Sequence, residues 1–240
     1  MQAEYIDHLG DDLRVVNAAR VSFSKESFWE EVKRKADSFP LGLGLSEKDQ
    51  KLLKYLANHD HWSPFSHVMV TMRETVPIFV ARQRFKHMVG FTYNEVSRRY
   101  VDDKPVFFVP EYWRKAAENK KQGSSDETIA YMNWDHGTSS GFGKITHYYE
   151  QVLEACTNLY NDLIEVGVAP EQARMVLPQS MYTSYYVTGS LPAWSRAYKL
   201  RSDEHAQREI QELAVEWNKV ISNIAELKHS WSALIGEEKA

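Results

Sequence analysis

Cysteine is nearly absent from this sequence, since Cys156 is the only one among 240 residues. A single thiol excludes an internal disulfide and any zinc framework built on several cysteines. Its position in an apolar helical repeat predicts a buried structural side chain. Long apolar runs are missing too: none approaches the roughly 20 residues that a membrane-spanning helix needs, and the start MQAEYIDHLGDD has no signal-peptide core. We therefore expect a soluble, cytoplasmic protein with no membrane partner.

An excess of positive charge is also lacking. The formal net charge is −4 and the sequence pI is about 6.2, whereas nucleic-acid-binding domains are usually basic overall; nucleic acid is therefore not an expected partner. The sequence contains neither a strand followed by Gly-x-Gly-x-x-Gly nor a Walker loop, which excludes the standard nucleotide motifs. The stretch HDHWSPFSH (residues 59–67) matches no common zinc spacing, so no metal site is predicted.

Hydrophobic periodicity predicts an α+β fold in which helices dominate. Helical spacing recurs in four segments, residues 11–23, 46–60, 145–163 and 210–234, the second of them opened by a cap at Ser46. Strand patterns occur in three segments, residues 4–8, 68–76 and 180–188. We expect a helix-rich single domain over residues 1–240 with one small, mostly antiparallel sheet. The stretch 118–144, rich in Gly, Ser and charge, is predicted to be a flexible insertion.

Two polar clusters lie close together in the middle of the chain. PIFVARQRFKHM (residues 77–88) predicts a helix on which four polar side chains share a sector of about 140°: Arg82, Gln83, Lys86 and His87. The opposite face is apolar: Ile78, Ala81, Phe85 and Met88. FTYNEVSRRY (residues 91–100) follows as a predicted loop in which Glu95 is ionised and paired with a nearby cation. The helix face alone fits a solvated surface equally well, but together the clusters suit a phosphate or a polar heteroaromatic ring.

The segments ARQ, FKH and YNEVSRRY resemble the signature region of flavin-dependent thymidylate synthases. That family carries Arg-His-Arg, seven residues and then Ser, with Asn-Glu shortly before the Ser and Arg shortly after it. Further blocks resemble family blocks in family order across nearly the whole chain: RVSF (20–23), HWSPFSH (61–67), PIFVARQ (77–83), ARMVLP (173–178) and LRSDEHAQREI (200–210). The resemblance implies the family's fold and a homotetramer with active sites at subunit junctions.

The chain departs from the family pattern at two places. Residues 86–88 read Lys-His-Met where the family has Arg-His-Arg, and the spacer to Ser97 is one residue longer. Residues 190–192 read Ser-Leu-Pro where the family has an Asn-x-Arg that contacts flavin. These departures indicate a divergent subgroup that holds the flavin differently or less tightly.

The resemblance implies an enzyme that makes dTMP from dUMP, with methylenetetrahydrofolate as carbon donor, NADPH as reductant and FAD as the relay. The implied dUMP-binding residues are Gln83, Lys86, Glu95, Val96, Ser97, Arg98, Arg99, Arg174 and Arg201. The implied FAD-binding residues are Ser63, Ser66, Lys86, His87, Met88, Asn94, Glu95 and Arg196, and His61 matches a family histidine near flavin and folate.

Arg201 is the predicted catalytic residue, because it matches the family arginine that polarises the pyrimidine. Elementary chemistry supports this role. Methylating a uracil ring requires electron density at the attacking carbon, and hence negative charge on the amide system of the ring. An arginine held against those atoms stabilises the charge without losing its own proton, and no cysteine nucleophile is then needed.

Two other functions stay open on the sequence. One is a related flavin enzyme that transfers a one-carbon group to another deoxypyrimidine monophosphate, for which the changes at Met88 and Pro192 leave room. The other is a non-enzymatic nucleotide- or nucleic-acid-binding protein that uses the cations Arg82, Arg84, Lys86, Arg98 and Arg99. It predicts salt-dependent nucleic-acid binding without flavin, and the net charge argues against it.

Overall fold

The computed structural model of the chain describes residues 1–33, 40–100, 103–117, 124–135 and 139–236. Its strands are β1 (Gln2–Leu9), β2 (Glu30–Lys33), β3 (Pro40–Gly44), β4 (Met69–Pro77), β5 (Phe91–Glu95), β6 (Arg114–Ala116), β7 (Ser124–Thr128), β8 (Tyr131–Asp135), β9 (Ser140–Lys144) and β10 (Tyr182–Ser190). Its α-helices are α1 (Asp12–Arg20), α2 (Glu47–Asn58), α3 (Ile78–Arg84), α4 (Ile145–Glu165), α5 (Pro170–Ala173), α6 (Leu191–Arg201), α7 (Arg208–Ser222) and α8 (Lys228–Ile235). Short 3-10 helices cover Val21–Phe23, Pro64–His67, Arg174–Val176 and Ala225–Leu227.

The predicted α+β class and antiparallel sheet are confirmed. Four antiparallel strands lie in the order β1-β4-β10-β5, which leaves β5 at an edge. The central strand β4 alternates buried and less buried residues, as a strand packed on one face must. Three two-stranded pairs, β2-β3, β6-β7 and β8-β9, lie outside this sheet and were not predicted.

Helices α6 and α7 join the sheet to the main hydrophobic core. Helix α6 packs against α7 and α8, and α7 packs against β1. Trp194, Trp217 and Trp231 are among the largest fully buried side chains, and the rings of Trp194 and Trp217 lie 5.8 Å apart. The predicted cap of α2 is confirmed, because Ser46 Oγ accepts a hydrogen bond from the backbone N–H of Asp49 at 3.2 Å.

The last helical stripe is not one helix, contrary to the sequence prediction. It is divided into α7, the 3-10 helix and α8. Asp12 explains where α8 begins, since its buried carboxyl group accepts hydrogen bonds from the backbone N–H groups of His229 and Ser230 at 2.9 and 2.8 Å. A carboxylate that caps new N–H groups starts a new helix, and hydrophobic periodicity alone carries no sign of this distant partner. Cys156 is half-buried on α4 rather than fully buried.

The stretch 118–144, predicted to be a flexible insertion, contains the strands β7, β8 and β9 in its described part, and these strands were not predicted. Glycine made the composition misleading. A Cβ atom at Gly141 would lie 3.0 Å from the Trp134 ring, and one at Gly143 would lie 2.7 Å from the Tyr148 hydroxyl. The glycines of β9 thus make room for aromatic side chains that cover the strand. Residues 118–123 and 136–138 of this stretch lie outside the described residues.

Neither a membrane span nor a metal cluster is found in the part of the chain that the structure describes. No helix there is long and apolar enough to cross a bilayer. No group of three or more His, Cys, Asp or Glu side chains there is arranged to hold a metal ion.

Candidate functional site

The two polar clusters of the sequence are arranged differently from the prediction. Helix α3 ends at Arg84, so Lys86, His87 and Met88 lie in the turn beyond it and do not share a helix face. Met88 is 73% exposed rather than buried. Residues 91–95 are not a loop but edge strand β5, which pairs with β10. The helix must end early because the chain turns at Gly90, whose φ of +82° favours glycine, to enter the sheet.

The residues just after β5 line a cavity of about 980 Å³, which we call the open cleft. Four predicted dUMP-binding residues line it together: Glu95, Val96, Arg98 and Arg174. Arg174 comes from the 3-10 helix after α5, so the fold gathers side chains that are 76 to 79 positions apart in the sequence. Glu95 accepts a hydrogen bond from Thr183 Oγ1 at 2.6 Å. Its partner is therefore a hydroxyl group and not one of the neighbouring cations. The strand pairing sets Glu95 opposite Tyr185, two positions from Thr183 on β10.

The cations of the open cleft are held loosely. Arg98 donates to the carbonyl of Asp103, and Arg174 Nε donates to the carbonyl of Glu171 at 3.4 Å. Arg99 lies 3.9 Å from the Glu171 carboxylate, with both side chains about half exposed. The backbone N–H of Arg99 also donates to Ser97 Oγ at 3.4 Å. Arg174 and Arg99 are exposed and have long internal contacts, so their guanidinium groups can turn toward an incoming phosphate.

A second group of residues, which we call the buried arginine cluster, surrounds Arg84. Its Nε lies 3.1 Å from the Glu74 carboxylate, and both side chains are fully buried. Tyr185 donates its hydroxyl proton to the same carboxylate at 2.5 Å, and Arg84 Nη1 donates to Tyr93 Oη at 2.5 Å. The guanidinium carbon lies 4.3 to 5.2 Å from the centres of four rings: Phe91, Tyr93, Trp194 and Trp217. The aromatic rings and the carboxylate together stabilise the buried charge.

Burial of Arg84 corrects one sequence hypothesis. The nucleic-acid-binding alternative used Arg84 as an external contact, and a fully buried guanidinium cannot make one. The sequence did contain a signal for this pair: Glu74 alternates with Met72 and Val76 on the core-facing side of β4. A carboxylate at such a position needs a buried cation as its partner.

Arg201 and His87 are in direct contact beside this cluster. Arg201, the last residue of α6, donates from Nε to His87 Nε2 at 2.9 Å. Arginine has donors only, so His87 Nε2 is unprotonated and the ring carries its proton on Nδ1. Burial, followed by the charges of Arg201, Arg84 and Arg196, lowers the pKa of His87 to about 4. Burial and then the charge of Arg84 also lower the pKa of Arg201.

Gln83, a predicted dUMP-binding residue, forms a hydrogen bond with another side chain. Its Nε2 donates to Oε1 of Gln207, in the turn between α6 and α7. The turn ends there, because α7 starts at Arg208. Gln83 therefore contacts the segment that follows α6, while His87 contacts Arg201 at the end of α6. Lys86 is exposed near them.

Three of the predicted flavin-side residues line two neighbouring cavities: His61, Ser63 and Arg196. His61 and Ser63, with the 61% exposed ring of Trp62, line one of about 690 Å³. His61 also lines another of about 260 Å³, together with Arg196 and Pro192. Arg196 Nη2 donates to the Val89 carbonyl at 3.2 Å, which joins this region to the turn that carries His87 and Met88.

Six predicted flavin-side residues lie outside these two cavities: Ser66, Lys86, His87, Met88, Asn94 and Glu95. Ser66 donates to the Trp62 carbonyl at 3.5 Å, while Met88 and Asn94 are exposed. Among the described residues, the open cleft shares no lining residue with the two flavin-side cavities, and Arg201 lines none of the three.

Comparison with known proteins gives consistent matches along the chain. Residues 4–225 match the family model described as "Thymidylate synthase complementing protein". A flavin-dependent thymidylate synthase of Thermosipho africanus is 36% identical over 230 residues, covering 95% of this chain and 86% of the relative. One of Kosmotoga olearia is 35% identical over 218 residues, covering 91% and 84%.

Solved structures agree with these matches. A UMP/dUMP methylase from Streptomyces cacaoi bound with 5-Br dUMP superposes with a TM-score of 0.71 at 26% identity, covering 98% of this chain and 95% of that chain. The same methylase bound with 5-Br UMP superposes equally well, at 25% identity and with 98% and 94% coverage.

Proposed function

The chain belongs to the flavin-dependent thymidylate synthase family, and on this premise we propose that it catalyses the reductive methylation of dUMP to dTMP. Methylenetetrahydrofolate would donate the carbon and NADPH the reducing equivalents. FAD would supply the hydride when bound. The chain's own residues would bind the nucleotide, orient it and stabilise the charge that develops on its ring.

The observation that carries this proposal is the convergence of Glu95, Val96, Arg98 and Arg174 on the open cleft. Two guanidinium groups that have no carboxylate partner of their own among the described contacts, in a cavity large enough for a nucleotide, match the demands of a phosphate monoester. Ser97 and Arg99 are not among the residues that line the cleft, although they flank Arg98 in the sequence and Arg99 lies 3.9 Å from Glu171, which does line it.

Arg201 is the residue proposed to act on the pyrimidine. Its Nε is already engaged with neutral His87, so its two terminal nitrogens are oriented by that contact. A guanidinium that is partly withdrawn from water stabilises negative charge on uracil oxygen or nitrogen more strongly than an exposed one would. His87 is a positioning residue in this scheme, since it contacts Arg201.

The residues around the two flavin-side cavities fit FAD in their chemistry. Trp62 offers an exposed ring for stacking, His61 and Ser63 offer hydrogen bonds, and Arg196 offers a cation. Pro192, which replaces a flavin-contacting position of the family, is the second residue of α6 and lines the smaller cavity. Arg196, one turn later on the same helix, is the cation available in its place.

A homotetramer with active sites at subunit junctions is part of the proposal. Helix α4 supports it, because 21 residues bury only Leu153 and Tyr160 fully and leave Val152 and Leu159 about half exposed. A long helix with exposed apolar side chains is typical of an interface. Light scattering coupled to size-exclusion chromatography would measure the mass, and a monomer in the presence of flavin and dUMP would contradict this part. A cytoplasmic location also remains a proposal.

A second candidate substrate is UMP. The neighbour structures contain 5-Br dUMP in one case and 5-Br UMP in the other, in a protein described as a UMP/dUMP methylase. Methylation of another pyrimidine monophosphate is therefore the alternative to test beside dUMP.

The test begins with the purified protein and its flavin absorbance, with FAD and FMN each offered for reconstitution. NADPH with dUMP is expected to bleach the flavin, and methylenetetrahydrofolate is then expected to give dTMP, measured by chromatography. Parallel reactions with UMP, with NADH, and without folate assign the substrate, the reductant and the carbon donor. A colourless protein that cannot be reconstituted with either flavin would refute the proposal.

A further inference from the structure

A chain of hydrogen bonds leads from the β6-β7 hairpin to Gln83. Arg114 Nη2 donates to Glu209 Oε1 at 2.5 Å, and Arg114 Nε is anchored by Ser124 Oγ at 2.7 Å. Gln207 Nε2 donates to the other Glu209 oxygen at 2.8 Å, and Gln207 Oε1 accepts from Gln83 Nε2. The chain thus joins a hairpin outside the main sheet to a residue of the proposed dUMP site.

The direction of these hydrogen bonds, from donor to acceptor, is determined by the one carboxylate among the linked side chains. Glu209 is only 6% exposed. Burial raises its pKa, but hydrogen bonds from Arg114, from its own backbone N–H and from Gln207 together lower the pKa below the ordinary value, so the group is ionised. An ionised carboxylate only accepts hydrogen bonds. Gln207 must therefore turn its NH₂ group toward Glu209 and its oxygen toward Gln83, and Gln83 must turn its NH₂ group toward Gln207.

The orientation of the Gln83 amide matters because an amide group can form hydrogen bonds with either uracil or cytosine. Uracil presents an N3–H donor beside a carbonyl acceptor, whereas cytosine presents an N3 acceptor beside an amino donor. A freely rotating glutamine matches both bases by exchanging its oxygen and its nitrogen. A glutamine held in one orientation matches only one of them.

We propose that Glu209 and Arg114 are positioning residues that fix the orientation of the Gln83 amide and thereby make the site select uracil over cytosine. This inference rests on the proposed function, since it takes a pyrimidine monophosphate as the ligand of Gln83. It also assigns a role to the β6-β7 hairpin, which supplies Arg114 and Ser124 and so holds the far end of the hydrogen-bonded chain.

Glu209→Gln is the variant that tests the polarity. Arg114 would still donate to the oxygen at position 209, so the new NH₂ group would face Gln207 and force its amide, and then that of Gln83, to turn over. The preference for uracil is expected to fall by about tenfold or more, the worth of one well-aligned bidentate pair. Calorimetric titration of the protein reconstituted with FAD, with dUMP and with dCMP, measures the ratio of the two Kd values.

Gln207→Met is a second variant that interrupts the chain without removing a buried charge, and it is expected to reduce the same ratio. Glu216→Gln is the matched control, because this acid lies on the same helix and pairs with partly exposed Lys219. A purely structural role would weaken both ligands alike and leave the ratio unchanged in Glu209→Gln or Gln207→Met, which would overturn the inference. A wild-type ratio near one would also overturn it.

The proposed function fails separately. If the wild-type protein binds neither dUMP nor UMP, the nucleotide site itself is wrong, and this inference falls with it. If the wild-type protein prefers dUMP to dCMP and both Glu209→Gln and Gln207→Met keep that preference, only the positioning role of Glu209 and Arg114 is wrong.

Discussion

The buried arginine cluster and the open cleft both use guanidinium groups, but they hold them in opposite ways. Arg84 has a carboxylate, a tyrosine hydroxyl and four aromatic rings around it, and no solvent exposure. Arg98 and Arg174 have carbonyl partners and lie at the cavity surface. A buried charge must be compensated inside the protein because desolvation is unfavourable, whereas a charge that is to bind a ligand must keep part of its bonding capacity free. The buried arginine cluster therefore orients side chains, whereas the open cleft is suited to bind a ligand.

The largest expected effect comes from Glu74→Gln, which would leave the Arg84 charge buried without a counter-charge. The free energy of unfolding is expected to fall by about 3–5 kcal/mol. Glu4→Gln is the control on a neighbouring strand, since Glu4 pairs with the exposed Arg73, and it is expected to lower the free energy of unfolding by less than about 1 kcal/mol. Urea denaturation measures both. Equal losses would remove the distinction between buried and exposed guanidinium groups.

Arg201→Lys is the next largest change, because it keeps the charge but removes the planar donors. The turnover number is expected to fall by about 10²-fold or more, while the flavin absorbance of the purified variant stays at the wild-type level. Arg73→Lys on the opposite part of the sheet provides the matched control and should retain full turnover. Unchanged turnover in Arg201→Lys would remove its proposed role.

Arg174→Ala tests the open cleft with a smaller expected effect. An exposed charged contact to phosphate is worth about one order of magnitude in affinity, so the Kd for dUMP is expected to rise roughly tenfold. Deoxyuridine, which lacks the phosphate, should bind the variant and the wild type alike. A proportional loss for both ligands would show that Arg174 acts on the protein structure and not on the phosphate.

The pH dependence of His87 gives the smallest effect at neutral pH. Its pKa is lowered from 6.5 to about 4, so the folded protein keeps the ring neutral where the unfolded chain would protonate it. The stabilising contribution is therefore complete above pH 6.5 and is lost as the pH falls toward 4. Nitrogen NMR of labelled histidine should give a midpoint near 4 and the Nδ1–H tautomer; a midpoint near 6.5 would mean that the contact with Arg201 is not maintained.

Much of the fold could be predicted from the sequence, because strands such as β4 and β10 and helices such as α2 and α4 carry their own periodicity. The boundary between α7 and α8 could not, since the carboxylate that caps α8 comes from Asp12, 217 positions away from His229. Strand β9 was missed for a related reason: its glycines are explained only by the aromatic rings of Trp134 and Tyr148 that lie against them.

The candidate site divides in the same way. The resemblance gave the residue types and their roles as predictions, and the open cleft gathers four of them. The assignment of residues 77–88 to a single helix was wrong, because the turn into an edge strand ends α3 at Arg84. The hydrogen bonds that link Arg114 to Gln83 could not be predicted from the sequence. Their residues are polar types that are common on protein surfaces, and only the fold shows that Glu209 is buried.

By itself, the sequence determined the family, the α+β class and the residues from which a nucleotide site could be built, because local patterns and motif order are written along one chain. Only the tertiary structure decided which polar groups meet: Glu74 with Arg84, Arg201 with His87 at a separation of 114 positions, and Gln207 with Gln83 at 124. The physical reason is that a buried charge or amide takes its partner from whichever element packs against it. That packing depends on how α6 and α7 lie against the sheet and not on any local pattern.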